Sequence, residues 1–492
     1  MALSAPDGKS RGLEFGLMIE LNRQSKTPIG DQLVNGLARL VKERSLLPGA
    51  RLPSVRQLAE RLGISHSSVV VAYGRLASMG VIDARRGSGH YVATRRNFSE
   101  AADDEGGRQE PNDAVSHAMN ALDIRADCVP VGSGFLPASW FEEAFPSSVI
   151  GHLLRRELTI ASPAPAQGVS GFRRQLACKL DQQGIHVTPR TLVTTFGASH
   201  AFSLVTRALI RPGDPVIVED PGYLVLHAQL ATNGARLLPI PRQTDGPDLD
   251  AIEEAAKLER PRFCFIQTLF HNPTGSSMSA VKCHRLLALA ERHNFLIVED
   301  DVYGDLAPAE SLRLAQLDEL NRVFYVSSFT KVLSPGLRVG FVAAPAPFVE
   351  TIVRQKLMDV VSGSALQESI VCDVLRSGRY HKHLERTRTK LLKCRSEADI
   401  ALSEAGVELA SHEPEGIFLW GKLRASLDLD DLVRQALDNR IWLAKGSFFS
   451  PTGSYQNYLR FNAAYCHDSR LSHFLKERVA LSHRDDRWPS PN

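Results

Sequence analysis

Lys331 stands behind a run of small hydroxyl residues in SSFTKVLSPGLRVG (327–340), and Arg338 follows seven positions later beside a Ser-Pro-Gly turn. A desolvated lysine sheds its proton and attacks carbonyls, forming a Schiff base. An arginine at short range suits a phosphate. Other reactive side chains complete the set. Asp300 closes LIVED, with Tyr303 three residues on; Asn272 lies in HNPTG, before a proline bond that can be cis; Tyr223 follows VIVEDPG; Gly197, Ala198 and Ser199 lie in TTFGASH. Free backbone N–H groups at a helix start hold a phosphate, and a tyrosine ring covers a flat ligand. A carboxylate keeps a pyridine nitrogen protonated; an amide and a phenol hydrogen-bond a ring oxygen. Together these are what pyridoxal 5'-phosphate (PLP) needs from a protein. On this reading Lys331 takes the aldehyde as the catalytic amine and Asp300 the ring nitrogen. Asn272 and Tyr303 take the phenolic oxygen, Tyr223 the ring face, and Gly197, Ala198, Ser199, Ser328 and Arg338 the phosphate. The Lys331–Arg338 spacing then serves the two ends of one small molecule.

The elements that must position these groups are legible as an alternation. TLVTTFG, DPVIVED, RFCFIQT, FLIVEDD and RVFYVSS are apolar, β-rich and bounded by turn residues, and helical stretches such as SHAFSLVTRALI and AVKCHRLLALAERH separate them. That pattern predicts an α/β domain with a mostly parallel sheet. Ligands in such folds sit at the carboxyl ends of the strands, where every residue named above falls.

A different pattern precedes it. In DQLVNGLARLVKER, Leu33, Leu37, Leu40 and Val41 recur at helical spacing, and SLLPG stops the helix. In SVRQLAERLG, Ser54 is a good N-cap and Gly63 a good stop. A short turn leads into HSSVVVAYGRLASMG, with Val69, Tyr73, Leu76 and Ala77 inward, and VIDARRGSGHYVA then reads as a hairpin, or wing. Helices joined by a tight Gly-containing turn form a helix-turn-helix. Arg56, His66, Ser67, Ser68 and Arg75 lie off the apolar faces, and Arg85, Arg86 and Gly87 sit at the wing tip; all eight are candidate DNA contacts.

Charge divides the same way. Residues 1–97 carry 15 Lys+Arg against 7 Asp+Glu, a net +8, and the remainder sums to −5. A basic head on a mildly acidic body predicts that the head alone meets a polyanion. The stretch NFSEAADDEGGRQEPNDAVSH is polar and acidic, and reads as the start of a linker. The expected division is a winged helix-turn-helix over 15–96, a linker over 97–129, and a PLP-binding domain over 130–480. Seven scattered cysteines without a C-x-x-C pair point away from a disulfide framework or a metal site. Neither a signal-peptide run nor an eighteen-residue apolar run is present, which leads to the expectation of a cytoplasmic protein without a membrane partner.

The stretch GARLPSVRQLAERLGISHSSVVVAYGRLASMGVIDARRGSGHYV resembles the winged helix of GntR-type transcriptional regulators, with His66 where that family usually has an arginine. Residues 130 to 480, with HNPTG, the D-x-x-Y of DDVY and the S-F-T-K…P-G-L-R run, resemble fold-type I aminotransferases. That resemblance implies a small C-terminal α/β subdomain, from about GIFLW onward, and a carboxylate-binding arginine, here Arg460 in NYLRFNAAY. The fusion of the two is similar to the MocR subfamily of GntR regulators. What the resemblance implies is a PLP-dependent regulator, a homodimer arranged head to tail, and a double-stranded DNA operator with two half-sites. An amino acid, a small amine or PLP itself would act as effector. The alternative is a working aminotransferase that also binds DNA, since the catalytic apparatus is complete. The residues do not distinguish one amine effector from another.

Overall fold

In the computed structural model, residues 19, 21–23, 25, 27–43, 46–85, 88–93, 114–144, 163–411, 415–424 and 426–485 are described. The chain divides into two units, Met1–Gln109 and Glu110–Asn492.

Among its described residues, the first unit contains three helices and a hairpin. Helix α1 (Ile29–Lys42) buries Leu33, Val34, Leu37 and Leu40 on one side. Helix α2 (Val55–Leu62) starts at a full capping box, in which the Ser54 side chain accepts from the Gln57 N–H and Gln57 reaches back to the Ser54 N–H. It ends at Gly63, whose φ of +62° suits a residue without a Cβ. Helix α3 (His66–Ser78) is capped by Ser65 and turns Val69, Ala72, Tyr73 and Leu76 inward. The Tyr73 hydroxyl donates to the Pro53 carbonyl at 2.8 Å, fastening α3 to the entry of α2. Strands β1 (Ile82–Arg85) and β2 (Gly89–Val92) pair antiparallel as the wing. The predicted helix-turn-helix and hairpin are therefore present.

In the second unit the segment expected to be linker is partly structured. Helix α4 (Ala114–Asn120) stacks His117 on Trp442, with ring centroids 4.5 Å apart, and the Val129 N–H donates to the Arg440 carbonyl at 2.8 Å. Residues 114–129 thus belong to the body. The acidic stretch just before them hid this, because their own apolar residues find partners only through the fold, among residues 224–232 and at Trp442.

The main sheet contains β3 (Leu192–Thr195), β4 (Pro215–Asp220), β5 (Arg236–Gln243), β6 (Gly246–Pro247), β7 (Phe263–Gln267), β8 (Leu296–Asp300), β9 (Val323–Ser328) and β10 (Gly340–Ala343), in the order β3-β10-β9-β8-β7-β4-β5-β6. Strands β9, β8, β7, β4 and β5 run parallel, whereas β10 is antiparallel to both neighbours. Both faces of the central strands are covered, so their residues are largely buried, whereas β5 toward the edge is partly exposed. Ile217, Ile266, Ile297 and Tyr325 enter one core, and Val216, Phe265, Val298 and Val326 enter the other. Helices α5 (Ala198–Leu209) and α6 (Leu224–Thr232) follow β3 and β4, and α7 (Ala280–His293) precedes β8. A smaller subdomain joins the long α8 (Arg379–Glu404) to β11 (Glu408–Leu409), β12 (Phe418–Lys422), β13 (Ala444–Lys445), β14 (Tyr458–Asn462) and α9 (Ser469–Asp485), with sheet order β11-β12-β14-β13. It starts earlier than the expected GIFLW boundary, and it takes Val129 and Val131 into its core. No described helix is long and apolar enough to cross a membrane.

Because the head has its own core, Leu76→Ala, which empties a fully buried site between helices, is expected to cost about 2–5 kcal/mol there. Hydrogen exchange of the full chain checks this: amides of α1 to α3 should exchange at least tenfold faster while those of β7 to β9 do not change.

Candidate functional sites

The carboxyl ends of the strands open into a cavity of about 1160 Å³ in the second unit. Lys331, Asp300, Tyr303, Asn272, Tyr223, Ala198, Ser199, Ser328, Arg338 and Arg460 all line it. Every candidate PLP residue therefore converges there; Gly197 does so from behind, as the N-cap of α5.

Three consecutive acids end β8, and alternation along the strand separates their tasks. Glu299 accepts the Leu314 and Ala315 N–H groups at 2.9 and 2.8 Å and the Thr268 hydroxyl at 2.7 Å, which caps a helix. Asp301 pairs with Arg313 at 2.8 Å and accepts from the Tyr325 hydroxyl. Asp300 alone faces the cavity, held by the Val302 N–H at 3.2 Å. Burial pushes its carboxyl up to about 7 despite that hydrogen bond, and the neighbouring Asp301 and Glu219 push the same way. A cationic ring nitrogen beside it would hold it ionised.

The Lys331 amine donates to the Gly134 carbonyl at 3.1 Å and lies 3.7 Å from the centre of the Phe135 ring. Burial first, then the charges of Arg460 and Arg338, bring it down to about 7, and Asp300 opposes them. The amine is thus neutral in a large fraction of molecules near neutrality, as attack on a carbonyl requires. Burial raises the Tyr303 phenol, whose hydroxyl donates to Gly134 at 3.4 Å.

Arg460, on β14, is buried between the rings of Phe418 and Phe449, 4.7 and 4.5 Å from their centres. One Nη donates to Asn272 Oδ1 at 2.6 Å and the other to the Gly132 carbonyl; its Nε is buried without a partner. An arginine held by neutral groups keeps its full charge for an incoming anion. The Asn272–Pro273 bond is cis.

At the opposite end of the cavity lies a cradle. Helix α5 begins at Gly197 with no side-chain cap, which leaves its first N–H groups for a ligand. A Cβ on Gly197 would come within 3.0 Å of Arg338 and 3.2 Å of Thr330, so the glycine lets both approach. Arg338 donates to the Phe196 carbonyl and to the Thr330 hydroxyl, and the Tyr223 and Ser199 hydroxyls lie 3.3 Å apart. Ser328 is tied to Thr330 and Val339. An uncapped helix start, a guanidinium and three hydroxyls suit a dianionic phosphate, and the amine and carboxylate suit its aldehyde and ring nitrogen. The residues fit PLP.

Sequence reasoning missed Gly134, Phe135, Thr330 and His117. The first two belong to a turn-like GSGFLP that reaches the site only through the fold. Thr330 was in plain view within SFTK. His117 lines the cavity as a neutral ring, lowered to about 3 by burial and then by Arg460 and Lys445.

On the first unit, Arg56, His66, Ser67, Arg75 and Arg85 are exposed and Ser68 is half-buried. Their availability differs. Arg75 pairs with Asp31 across to α1, Arg56 with Glu60 at 3.0 Å, and the Arg85 guanidinium lies 4.5 Å over Tyr91. The Ser67 and Ser68 hydroxyls each lie 2.8 Å from that of Ser65. Arg86 and Gly87 lie outside the described residues.

Comparisons with known proteins find a match for each unit. The aminotransferase class I and II family matches residues 153–477, and the bacterial regulatory proteins of the gntR family match residues 29–92. The uncharacterized HTH-type transcriptional regulator YdcR of Escherichia coli is 32% identical over 465 residues, which are 91% of this chain and 97% of that one. The probable rhizopine catabolism regulatory protein MocR of Rhizobium meliloti is 30% identical over 383 residues, 75% of this chain and 76% of that one. Among solved structures, the alpha-aminoadipate aminotransferase of Thermus thermophilus, complexed with N-(5'-phosphopyridoxyl)-L-leucine, superposes with a TM-score of 0.68 at 28% identity, covering 74% of this chain and 95% of that one.

The charge balance around Lys331 is testable. In cofactor-stripped protein, the acetic anhydride labelling rate at Lys331 should rise with pH to a midpoint near 7, several units below an ordinary lysine. Asp300→Asn removes the one nearby charge that favours the protonated amine, so its midpoint should move lower. Peptide mass mapping reads both.

Proposed function

Since the chain belongs to the MocR subfamily of GntR-type regulators, a DNA-binding winged helix joined to an aminotransferase fold whose cofactor is pyridoxal phosphate, we propose that its body senses an amino-group-bearing effector and its heads report that on DNA. The observation that carries this reading is the pairing, in one cavity, of an amine lowered to about 7 with a buried arginine that keeps a free Nε. When bound, the cofactor supplies an aldehyde that exchanges one amine for another, and an electron-poor ring. The chain supplies the rest. Lys331 would hold the cofactor's aldehyde through its side-chain amine, buried beside Gly134 and Phe135. Asp300 holds the proton on the ring nitrogen, and Asn272 and Tyr303 hydrogen-bond the ring oxygen. Tyr223 covers the ring, and Gly197, Ala198, Ser199, Ser328, Thr330 and Arg338 hold the phosphate. Arg460 takes a carboxylate, which favours an amino acid over a simple amine.

The proposed working form is a homodimer arranged head to tail, with two heads on two half-sites of an operator. An effector must bind the two head arrangements unequally, since otherwise it moves no equilibrium.

A second reading, an aminotransferase that also binds DNA, is favoured by the completeness of the same cavity and by the 28% identity to an aminotransferase. Keto-acid release over many turnovers, on the order of one per second or faster, would establish it.

The sensing reading predicts that purified protein absorbs in the violet and that Lys331→Ala removes the band. It also predicts that, across a panel of amino acids and amines, those which shift the band also shift duplex binding by about fivefold or more, and that Lys331→Ala abolishes this response. A DNA response that survives in Lys331→Ala would overturn it.

A further inference from the structure

Helix α3 presents to solvent a surface its own unit does not explain. Val69, Ala72, Tyr73 and Leu76 are at most 1% exposed, yet Val70 and Val71, directly beside them, are each 56% exposed. At 100° per residue, Ser67, Val71 and Gly74 fall along the line opposite the buried face, with Val70 on its flank. Two β-branched apolar residues on an open helical face weaken the helix and bury nothing. Gly74 weakens it further, and a Cβ there would meet nothing within 4 Å, so the packing of the head does not require a glycine.

The polar groups nearby are engaged. Arg75 is turned to Asp31, and Ser67 and Ser68 to Ser65. What remains along the middle of the helix is uncharged, shallow and methyl-rich. In a major groove the apolar group available to such a surface is the 5-methyl of thymine.

We propose that Val70 and Val71 select the operator sequence by packing their methyl groups against thymine methyls, with Gly74 setting how closely the helix backbone lies in the groove. The inference rests on the DNA-binding reading of the head. It assigns base selection to side chains that the search for hydrogen-bonding residues passes over. The stiff χ1 of valine holds the methyls in fixed places, which suits recognition by shape.

The test uses the full-length, PLP-loaded protein. Duplexes are selected from a randomised pool, and in the tightest-binding one each thymine is replaced singly by uracil, a change that removes only the methyl. Removing a contacted methyl should weaken binding about fourfold, the value of one buried methylene. With Val70→Ala or Val71→Ala the thymine-to-uracil ratio should fall to about one at the matching position, while the urea midpoint of the head stays within error or rises. Gly74→Ala should raise that midpoint and still weaken binding. If uracil changes affinity nowhere by more than twofold, or the valine variants keep the wild-type ratio, the inference fails and DNA binding stands. If no duplex is enriched, both fall.

Discussion

Among the described residues, four cationic side chains, Arg207, Lys331, Arg338 and Arg460, line one cavity with a single lining carboxylate, Asp300. Lys331, Arg338 and Arg460 repel one another through a medium of lower polarity than water, where such repulsion is strong. A guanidinium does not release a proton under any condition the protein meets; an ammonium does. The relief is therefore taken at Lys331, which becomes the neutral amine the chemistry needs. Arg460 stays charged because carbonyl and amide oxygens and two ring faces replace part of its water. Activation of Lys331 is first a consequence of its burial and then of two neighbours that keep their protons.

The sheet makes this convergence possible. Parallel strands deliver their carboxyl ends to one edge, so residues more than a hundred positions apart meet there without long connections. Covering both faces keeps that edge rigid. The head needs none of this. Its core is self-contained, and the Tyr73–Pro53 hydrogen bond fixes α3 to the entry of α2. The two units thus rest on separate hydrophobic cores.

Much of the arrangement was legible beforehand because it is local. Apolar runs ending in ED, SS or QT marked β4, β7, β8 and β9, and the polar residues just past them are the cavity's lining. The helix caps of the head were equally plain. What escaped depends on distant pairing. β10 is a four-residue stretch, GFVA, whose antiparallel placement no periodicity announces. Residues 114–129 follow an acidic stretch and show no partner in sequence until Trp442 and Arg440 arrive to hold them. Arg75 reads as a free cation because Asp31 lies forty-four residues away. Phe135, under the lysine, had no neighbour in sequence to betray it.

The three acids that close β8 carry a further consequence for how this chain can vary. Glu299 caps a helix and Asp301 neutralises a buried arginine on one side of the strand, while Asp300 faces the cavity on the other. Deleting or inserting a single amino acid between Leu296 and Asp300 would exchange the two sides, turning Glu299 and Asp301 toward the cavity and Asp300 into the core. The register of this short segment therefore constrains the cavity more tightly than the identity of any one of its aliphatic members.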